Sequence, residues 1–191
     1  MKVAISGSHG FIGERLYRTL TEQGHSVVRL DRKGNLPKNV DWIFDLAAYG
    51  NFHYQTEPEK IYQANVFRLI KLLEKTTEIK GMVCISSASV VLPSTTFYAA
   101  SKLAIESLVK AWVQQYGTPI VVVRPSTVTG PGDAPHHLLP TLIDSVMNRT
   151  KMEFVPHPTH DFLHVDDFIE ALLTIIKKAD KLKGKVINVS S

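Results

Sequence analysis

Short apolar runs alternate with longer segments of helical spacing along the whole chain. KVAIS (2–6) reads as a strand. GFIGERLYRTLTEQG (10–24) reads as a helix that turns Phe11, Ile12, Leu16 and Leu20 to one side and stops at Gly24. HSVVRLD (25–31) and DWIFDLAA (41–48) are two further strands, and PEKIYQANVFRLIKLLEKT (58–76) predicts one amphipathic helix with Ile61, Ala64, Leu69 and Leu72 along its inner side. GMVCISS (81–87) and PIVVVRP (119–125) are strands flanking a long helix, TTFYAASKLAIESLVKAWVQQYG (95–117). LLPTLIDSVMNR (138–149) and VDDFIEALLTIIKKA (165–179) are helices, and KVINVSS (185–191) is a closing strand. Such alternation with short connections predicts an α/β fold, a doubly wound parallel sheet with helices on both faces, residues 1–191 forming one domain.

One connection is too brief for a regular crossover. Between Asp31 and the DWIFDLAA strand lie DRKGNLPKNV, about ten residues, where a helical crossover needs roughly a dozen or more. The strand that would usually follow in a doubly wound sheet is therefore expected to be missing or vestigial.

Composition narrows the function classes. With 191 residues, 44% hydrophobic and 21% charged, the chain has the make-up of an ordinary soluble globular domain. The net charge of +4 comes from scattered lysines and arginines, without the stripe that nucleic-acid binding needs. No apolar run approaches the roughly 18 residues of a membrane span, and no signal-peptide core precedes the first strand. A lone cysteine, Cys84, fits a reducing compartment, so the expected location is cytoplasmic.

The first candidate chemistry lies between the first strand and the first helix. Gly7, Gly10 and Gly13 form G-x-x-G-x-x-G, a spacing that lets backbone N–H groups approach a pyrophosphate at a helix N-terminus. Gly7, Ser8, His9, Gly10, Phe11, Ile12 and Gly13 are thus candidate dinucleotide-binding residues. Asp31 ends the second strand, where an acid accepts hydrogen bonds from adenosine ribose hydroxyls and repels a 2′-phosphate. That favours NAD, while the adjacent Arg32 leaves NADP open.

Further motifs follow in order: DLAAYG (similar to H-x-A-A), ISSASVV, YAASK (Y-x-x-x-K), VVVRPSTVTGPGD (similar to R-x-x-N-V-Y-G-P) and HDFLHVDD (similar to R-D-F-I-H-V-D-D). With GSHGFIG, this ordered set resembles the extended short-chain dehydrogenase/reductases, the NAD-dependent epimerase/dehydratase family of Rossmann-like enzymes that modify nucleotide sugars. The resemblance implies Ser87, Tyr98 and Lys102 as catalytic residues. Tyr98 would move the hydroxyl proton, Lys102 would lower the Tyr98 pKa and hold the nicotinamide ribose, and Ser87 would bond the reacting oxygen. It further implies that Leu46, Ala47, Ala48, Tyr49, Asn65, Ile85, Ser86, Pro125 and Ser126 line or support the cofactor, and that Ser87, Ser89, Thr127 and His137 face a small-molecule substrate, a nucleotide sugar. A homodimer through residues around 58–76 and 96–116 is also implied, with Leu69, Leu73, Leu108 and Trp112 supplying core and interface. The expected activity is that of an NAD-dependent oxidoreductase or epimerase; the other reading is a non-catalytic dinucleotide-binding sensor.

The chain departs from the family pattern in places that bear on the substrate. Thr127 and Thr129 replace the usual asparagine and tyrosine, and His160 stands where the family has arginine. The chain ends at KVINVSS where members usually continue into a substrate lobe, so a thin substrate wall, or one completed by a partner, is expected. His136, His137, His157, His160 and His164 lack the cysteine or carboxylate spacing of a metal site, and no metal is expected. The histidine pair at 136–137 is expected to cap the following helix or touch substrate. Ala88 and Ser89 after Ser87 offer no acid–base pair, which disfavours dehydration.

Overall fold

A computed structural model describes residues 1–31, 35–76, 78–92, 95–152 and 159–191. Six parallel strands form one sheet: β1 (Lys2–Ser6), β2 (Ser26–Arg29), β3 (Trp42–Asp45), β4 (Gly81–Ile85), β5 (Ile120–Pro125) and β8 (Val186–Val189). They lie in the order β2-β1-β3-β4-β5-β8. The remaining two, β6 (Thr127–Thr129) and β7 (Phe162–His164), pair parallel with each other beyond the end of β5. Among the described residues no strand lies outside β2, as the short 31–40 connection predicts.

Strand periodicity splits the core into two layers. Val3, Ile5, Phe44, Val83 and Val121 face α1 (Phe11–Glu22) and α6 (Val165–Lys177), packing with Leu16, Leu20, Phe168 and Leu172. The alternate residues, Ala4, Ile43, Met82, Cys84 and Val122, face the opposite layer. There they meet Leu69, Leu72 and Leu73 of α3 (Arg68–Leu73) and Ile105 and Val109 of α4 (Phe97–Tyr116). Strands covered on both faces read as unbroken apolar runs, which is why WIFD and GMVCI show no polar alternation.

The predicted helix over 58–76 differs in detail. It comprises α2 (Pro58–Tyr62), a π-helical turn (Gln63–Phe67) and α3. The π turn adds a residue to the helical repeat and rotates the following side chains. Asn65, not Ala64, is buried between Ile61 and Leu69, at the i, i+4, i+8 spacing that shares one helix face. Two short-range features were not expected: the three-residue strands β6 and β7, and a final helical turn α7 (Ala179–Leu182). The fifth helix, α5 (Leu138–Asn148), buries none of its residues fully.

From β1 the chain runs to β2 on one side and then to β3 on the other. The carboxyl ends of β1 and β3 therefore flank the point where the strand order reverses, the place at which such sheets form a ligand crevice. No helix among the described residues is long and apolar enough to cross a membrane.

Candidate active site

The glycine loop closes the end of β1 against β3. Gly7 sits in the left-handed region (φ +65°), and a Cβ there would lie 2.7 Å from the Ala47 nitrogen. A Cβ on Gly13 would lie 2.2 Å from the Gly7 carbonyl oxygen, a distance no side chain tolerates, so α1 can reach the loop only through glycine. Gly10 donates to the Gly7 carbonyl at 2.9 Å and stands before the first turn of α1, which carries Phe11 and Ile12. Ser8 is buried and its Oγ has no partner among the described residues, while its carbonyl accepts from Arg29 at 2.6 Å. Arg29 also stacks on Tyr17, pairs with Glu14 at 2.8 Å and lies 3.3 Å from the exposed His9 imidazole. The bare backbone, the helix N-terminus and the orphaned buried hydroxyl together fit a bound pyrophosphate. Asp31 is exposed just beyond β2, holding the Asn35 side chain at 2.9 Å; Arg32 lies outside the described residues.

A buried polar network holds the chain leaving β3. The Asp45 carboxylate receives both Nη atoms of Arg68, at 2.7 and 2.9 Å, and the Ser6 hydroxyl at 2.5 Å. Burial alone would raise the Asp45 pKa, but Arg68 and the Ser6 hydroxyl outweigh it and hold it below the usual carboxylate value. Leu46 packs on the core and Ala48 is exposed. Asn65 reads the backbone of Tyr49 at both ends, accepting from its N–H at 2.8 Å and donating to its carbonyl at 2.9 Å. It also donates to Ser101, whose hydroxyl donates to the Tyr98 carbonyl.

Ser86 and Ser87 follow Ile85 at the end of β4. Ser87 begins a 3₁₀ turn (Ala88–Val91), and its Oγ accepts from the Ser89 backbone at 3.1 Å and from the Ser89 hydroxyl at 2.9 Å. The α4 helix, opened by the Thr96 hydroxyl capping Ala99, buries a polar as well as an apolar face: Ser101, Lys102 and Glu106 alongside Ile105 and Val109. Tyr98 lies beside Ser87. Its pKa is not lowered as the four-residue spacing suggested. Burial pushes it up to about 12, with Ser87 only partly opposing. The reason is where the Lys102 ammonium points: it donates to the Ile85 carbonyl at 2.8 Å and lies 5.5 Å from the Tyr98 ring centre. Burial lowers Lys102 itself to about 8, Asp45 opposing the drop and Arg68 adding to it.

The helix is anchored below this pair. Glu106 receives Arg124 of β5 at 2.7 and 2.5 Å and the Ser86 hydroxyl at 2.5 Å, tying α4 to the ends of β4 and β5. Pro125, the last residue of β5, is buried; beyond it the Ser126 hydroxyl donates to Asp161 at 2.9 Å, and Thr127 is exposed in β6. His137 precedes α5 but makes no side-chain cap, contrary to one of the two expected roles. Its Nδ1 lies 2.6 Å from the Asp133 carboxylate and its ring stacks on Phe52 at 5.2 Å. Gly132, one residue before Asp133, approaches Phe11, so this loop adjoins the glycine loop. His157 lies outside the described residues. Asp45, Arg68, Glu106, Arg124 and Arg29 were not singled out from the sequence. A shallow groove of about 380 Å³ between α6 and β8 contains none of these residues.

The family model described as "NAD dependent epimerase/dehydratase family" matches residues 3–190. Protein CapI of Staphylococcus aureus is 25% identical over 93% of this chain and 70% of its own length. The dTDP-D-glucose 4,6-dehydratase of Dictyostelium discoideum is 23% identical over 100% of this chain, which spans only 58% of that enzyme. Among solved structures, the UDP-glucuronic acid 4-epimerase of Bacillus cereus in complex with NAD superimposes with a TM-score of 0.88 at 23% identity, covering 100% of this chain and 78% of that one. MoeE5 in complex with UDP-glucose and NAD gives a TM-score of 0.87 at 25% identity, covering 100% and 76%.

Proposed function

This chain belongs to the NAD-dependent epimerase/dehydratase family, and on that premise we propose that it oxidises and reduces a hydroxyl-bearing carbon of a nucleotide sugar, with NAD, through Ser87, Tyr98 and Lys102. The observation that carries the reading is the convergence of these three side chains at the end of β4, with Tyr98 beside Ser87 and Lys102 buried one helical turn on, donating to the Ile85 carbonyl. The loop 7–13 and the chain from Leu46 to Tyr49 would hold the dinucleotide, with Asn65 fixing the latter.

When bound, an oxidised nicotinamide supplies a hydride acceptor and a positive charge. Ser87 Oγ holds the reacting oxygen, and Tyr98 Oη takes the hydroxyl proton or returns it. A phenol at about 12 is an acid rather than a base at neutral pH, so proton uptake requires a cation brought beside it. Lys102 meets that need by turning from the Ile85 carbonyl toward the phenol and ribose.

Ala88 and Ser89 supply no acid–base pair next to Ser87, so the reaction is assigned to epimerisation or ketone reduction rather than dehydration. Incubation with NAD and nucleotide-activated hexoses, followed by mass spectrometry, tests this. Isomeric or reduced products are expected, and a product lighter by one water would overturn the assignment.

Asp31 sets the expected cofactor preference. NAD should bind about tenfold or more tightly than NADP, because a carboxylate facing a 2′-phosphate is repulsive. Asp31→Ala should narrow that gap by weakening NAD and relieving NADP. Titration of both dinucleotides checks it, and a wild-type preference for NADP would reverse the reading.

The proposal extends to a homodimer through α3 and α4, with different contact residues from those expected. Leu69 and Leu73 are core, and Leu108 and Trp112 pack against it. The exposed apolar residues on this side are Phe67, Phe97, Leu103 and Tyr116. Light scattering at micromolar concentration should give a dimer mass, and Leu103→Glu should shift it toward monomer; a monomeric wild type rejects the interface.

A further inference from the structure

The motif alignment leaves one buried charge without a role. Asp45 stands where the H-x-A-A segment has its histidine, and Arg68 meets it from the first residue of α3. Neither belongs to the expected Ser87, Tyr98 and Lys102 set, yet between them they reach Ser6 and Ala47 of the proposed cofactor cradle. Ser6 Oγ donates to Asp45 and accepts the Ala47 N–H at 3.1 Å. Arg68 Nη2 donates both to Asp45 and to the Ala47 carbonyl at 3.1 Å, and its Nε donates to the Ala64 carbonyl at 2.9 Å. The Ala47 carbonyl is thus held directly by Arg68, and its N–H is held by Ser6, whose hydroxyl Asp45 in turn fixes. Ala47 is also the residue against which Gly7 closes.

We propose that Asp45 and Arg68 are the positioning pair of this site, locking the Ala47 backbone against Gly7 and fixing the charge environment of Lys102. This rests on the functional reading above for its meaning, though not for its test. Asn65 and Arg68, three residues apart, lie on the same side of the helix, so that Asn65 holds Tyr49 while Arg68 holds Ala47. Consecutive stretches of the β3 exit are thereby fixed from one helical segment.

The second half of the role is electrostatic. The groups facing Lys102 are Asp45 from β3, Arg68 from α3, Cys84 from β4 and Tyr98 on its own helix. Burial raises the Cys84 thiol well above its ordinary value, so it is neutral, and Tyr98 is protonated. Asp45 is therefore the sole anion among these facing groups, and Arg68 tempers it without cancelling it. A buried ion pair adds little net stability over apolar residues of similar volume, so stability alone does not account for its presence here.

The test compares the full-length wild type with Asp45→Asn and with the double variant Asp45→Leu/Arg68→Met. The double variant matters because the single one leaves a buried guanidinium unpaired and loses stability. Two readouts use the protein without dinucleotide: hydrogen exchange of the Ala47 amide, and the Lys102 side-chain titration followed by NMR. A third is NAD affinity by calorimetry. The double variant should melt within a few degrees of wild type, exchange Ala47 faster, titrate Lys102 at lower pH and bind NAD about tenfold more weakly. A double variant with wild-type Ala47 exchange and Lys102 titration would overturn the proposal, and so would one that cannot fold, since the pair would then be structural. If the wild type itself fails to bind NAD, the functional reading falls, while the exchange and titration still decide the positioning role.

Discussion

Replacing Tyr98 with phenylalanine should lower turnover by about three orders of magnitude and leave dinucleotide affinity within a few-fold of wild type, since a positioned acid–base group contributes roughly 10²–10⁴-fold. The substitution is close to a clean deletion of one hydroxyl. The ring stays in its buried place on the first turn of α4, and Ser87 keeps its bonds from Ser89. What disappears is the group proposed to carry the proton between substrate oxygen and solvent. Stability should change little near neutral pH and should differ in alkali. In the folded protein Tyr98 stays protonated to about 12, whereas an unfolded tyrosine ionises near 10. The unfolded chain therefore binds fewer protons between those values, and wild-type stability falls as pH rises through them. Tyr98→Phe should lack that loss. Steady-state rates and denaturation midpoints at pH 7 and pH 11 test both halves. A variant keeping more than about a tenth of wild-type turnover would remove Tyr98 from the proton-transfer role.

Where the sequence could be read and where it could not follows from what periodicity encodes. Alternation along KVAIS and WIFD put Val3, Ile5 and Phe44 on one face and Ala4 and Ile43 on the other, and the two core layers obey that alternation. Strand–helix order then leaves few topologies, which is why the sheet was legible. The helix over 58–76 differs at one point: Asn65, four residues from both Ile61 and Leu69, takes the inward place assigned to Ala64, because a polar side chain is not expected inside unless its partners, here Tyr49 and Ser101, are known. Strands of three residues, such as β6 and β7, carry no measurable period. The buried charges escaped because charged residues are ordinarily solvated. A signal existed nonetheless: Asp45 shares the strand face of Ile43, which points into the core, and Glu106 lies one turn beyond Lys102 on the buried side of α4. The glycine loop was legible because close approach to Gly7 demands a residue without Cβ, a requirement written directly in residue type. The direction of the Lys102 ammonium was not, because spacing along a helix gives neighbours and not the carbonyl a flexible side chain selects.

Burial makes the Lys102 ammonium costly to the fold. An ordinary lysine titrates near 10.5, and burial brings this one to about 8 despite the opposing field of Asp45. At about 1.4 kcal/mol per pKa unit, holding the ammonium in place costs on the order of 3 kcal/mol at neutral pH. Below pH 8 both states are protonated and the cost is constant. Between pH 8 and about 10.5 the unfolded chain binds more protons than the folded one, so wild-type stability rises with pH through this window. Lys102→Met removes the charge but leaves the Ile85 carbonyl without its donor, a loss of about 1 kcal/mol. The variant should therefore be more stable than wild type at pH 7, by roughly 2 kcal/mol or about 4–8 °C in melting temperature for a chain of this size. The advantage should shrink as pH rises from 8 and be gone by about pH 10, where the folded lysine is already neutral and the unfolded one is losing its proton. The same substitution should weaken NAD binding and abolish turnover, since no cation is then available to draw the proton from Tyr98. Stability gained where function is lost marks a group retained for chemistry rather than for folding. Melting curves of the two proteins across pH 6–11 decide the matter: a Lys102→Met variant less stable than wild type at pH 7, or a stability gap independent of pH, would show that the ammonium is well accommodated in the fold.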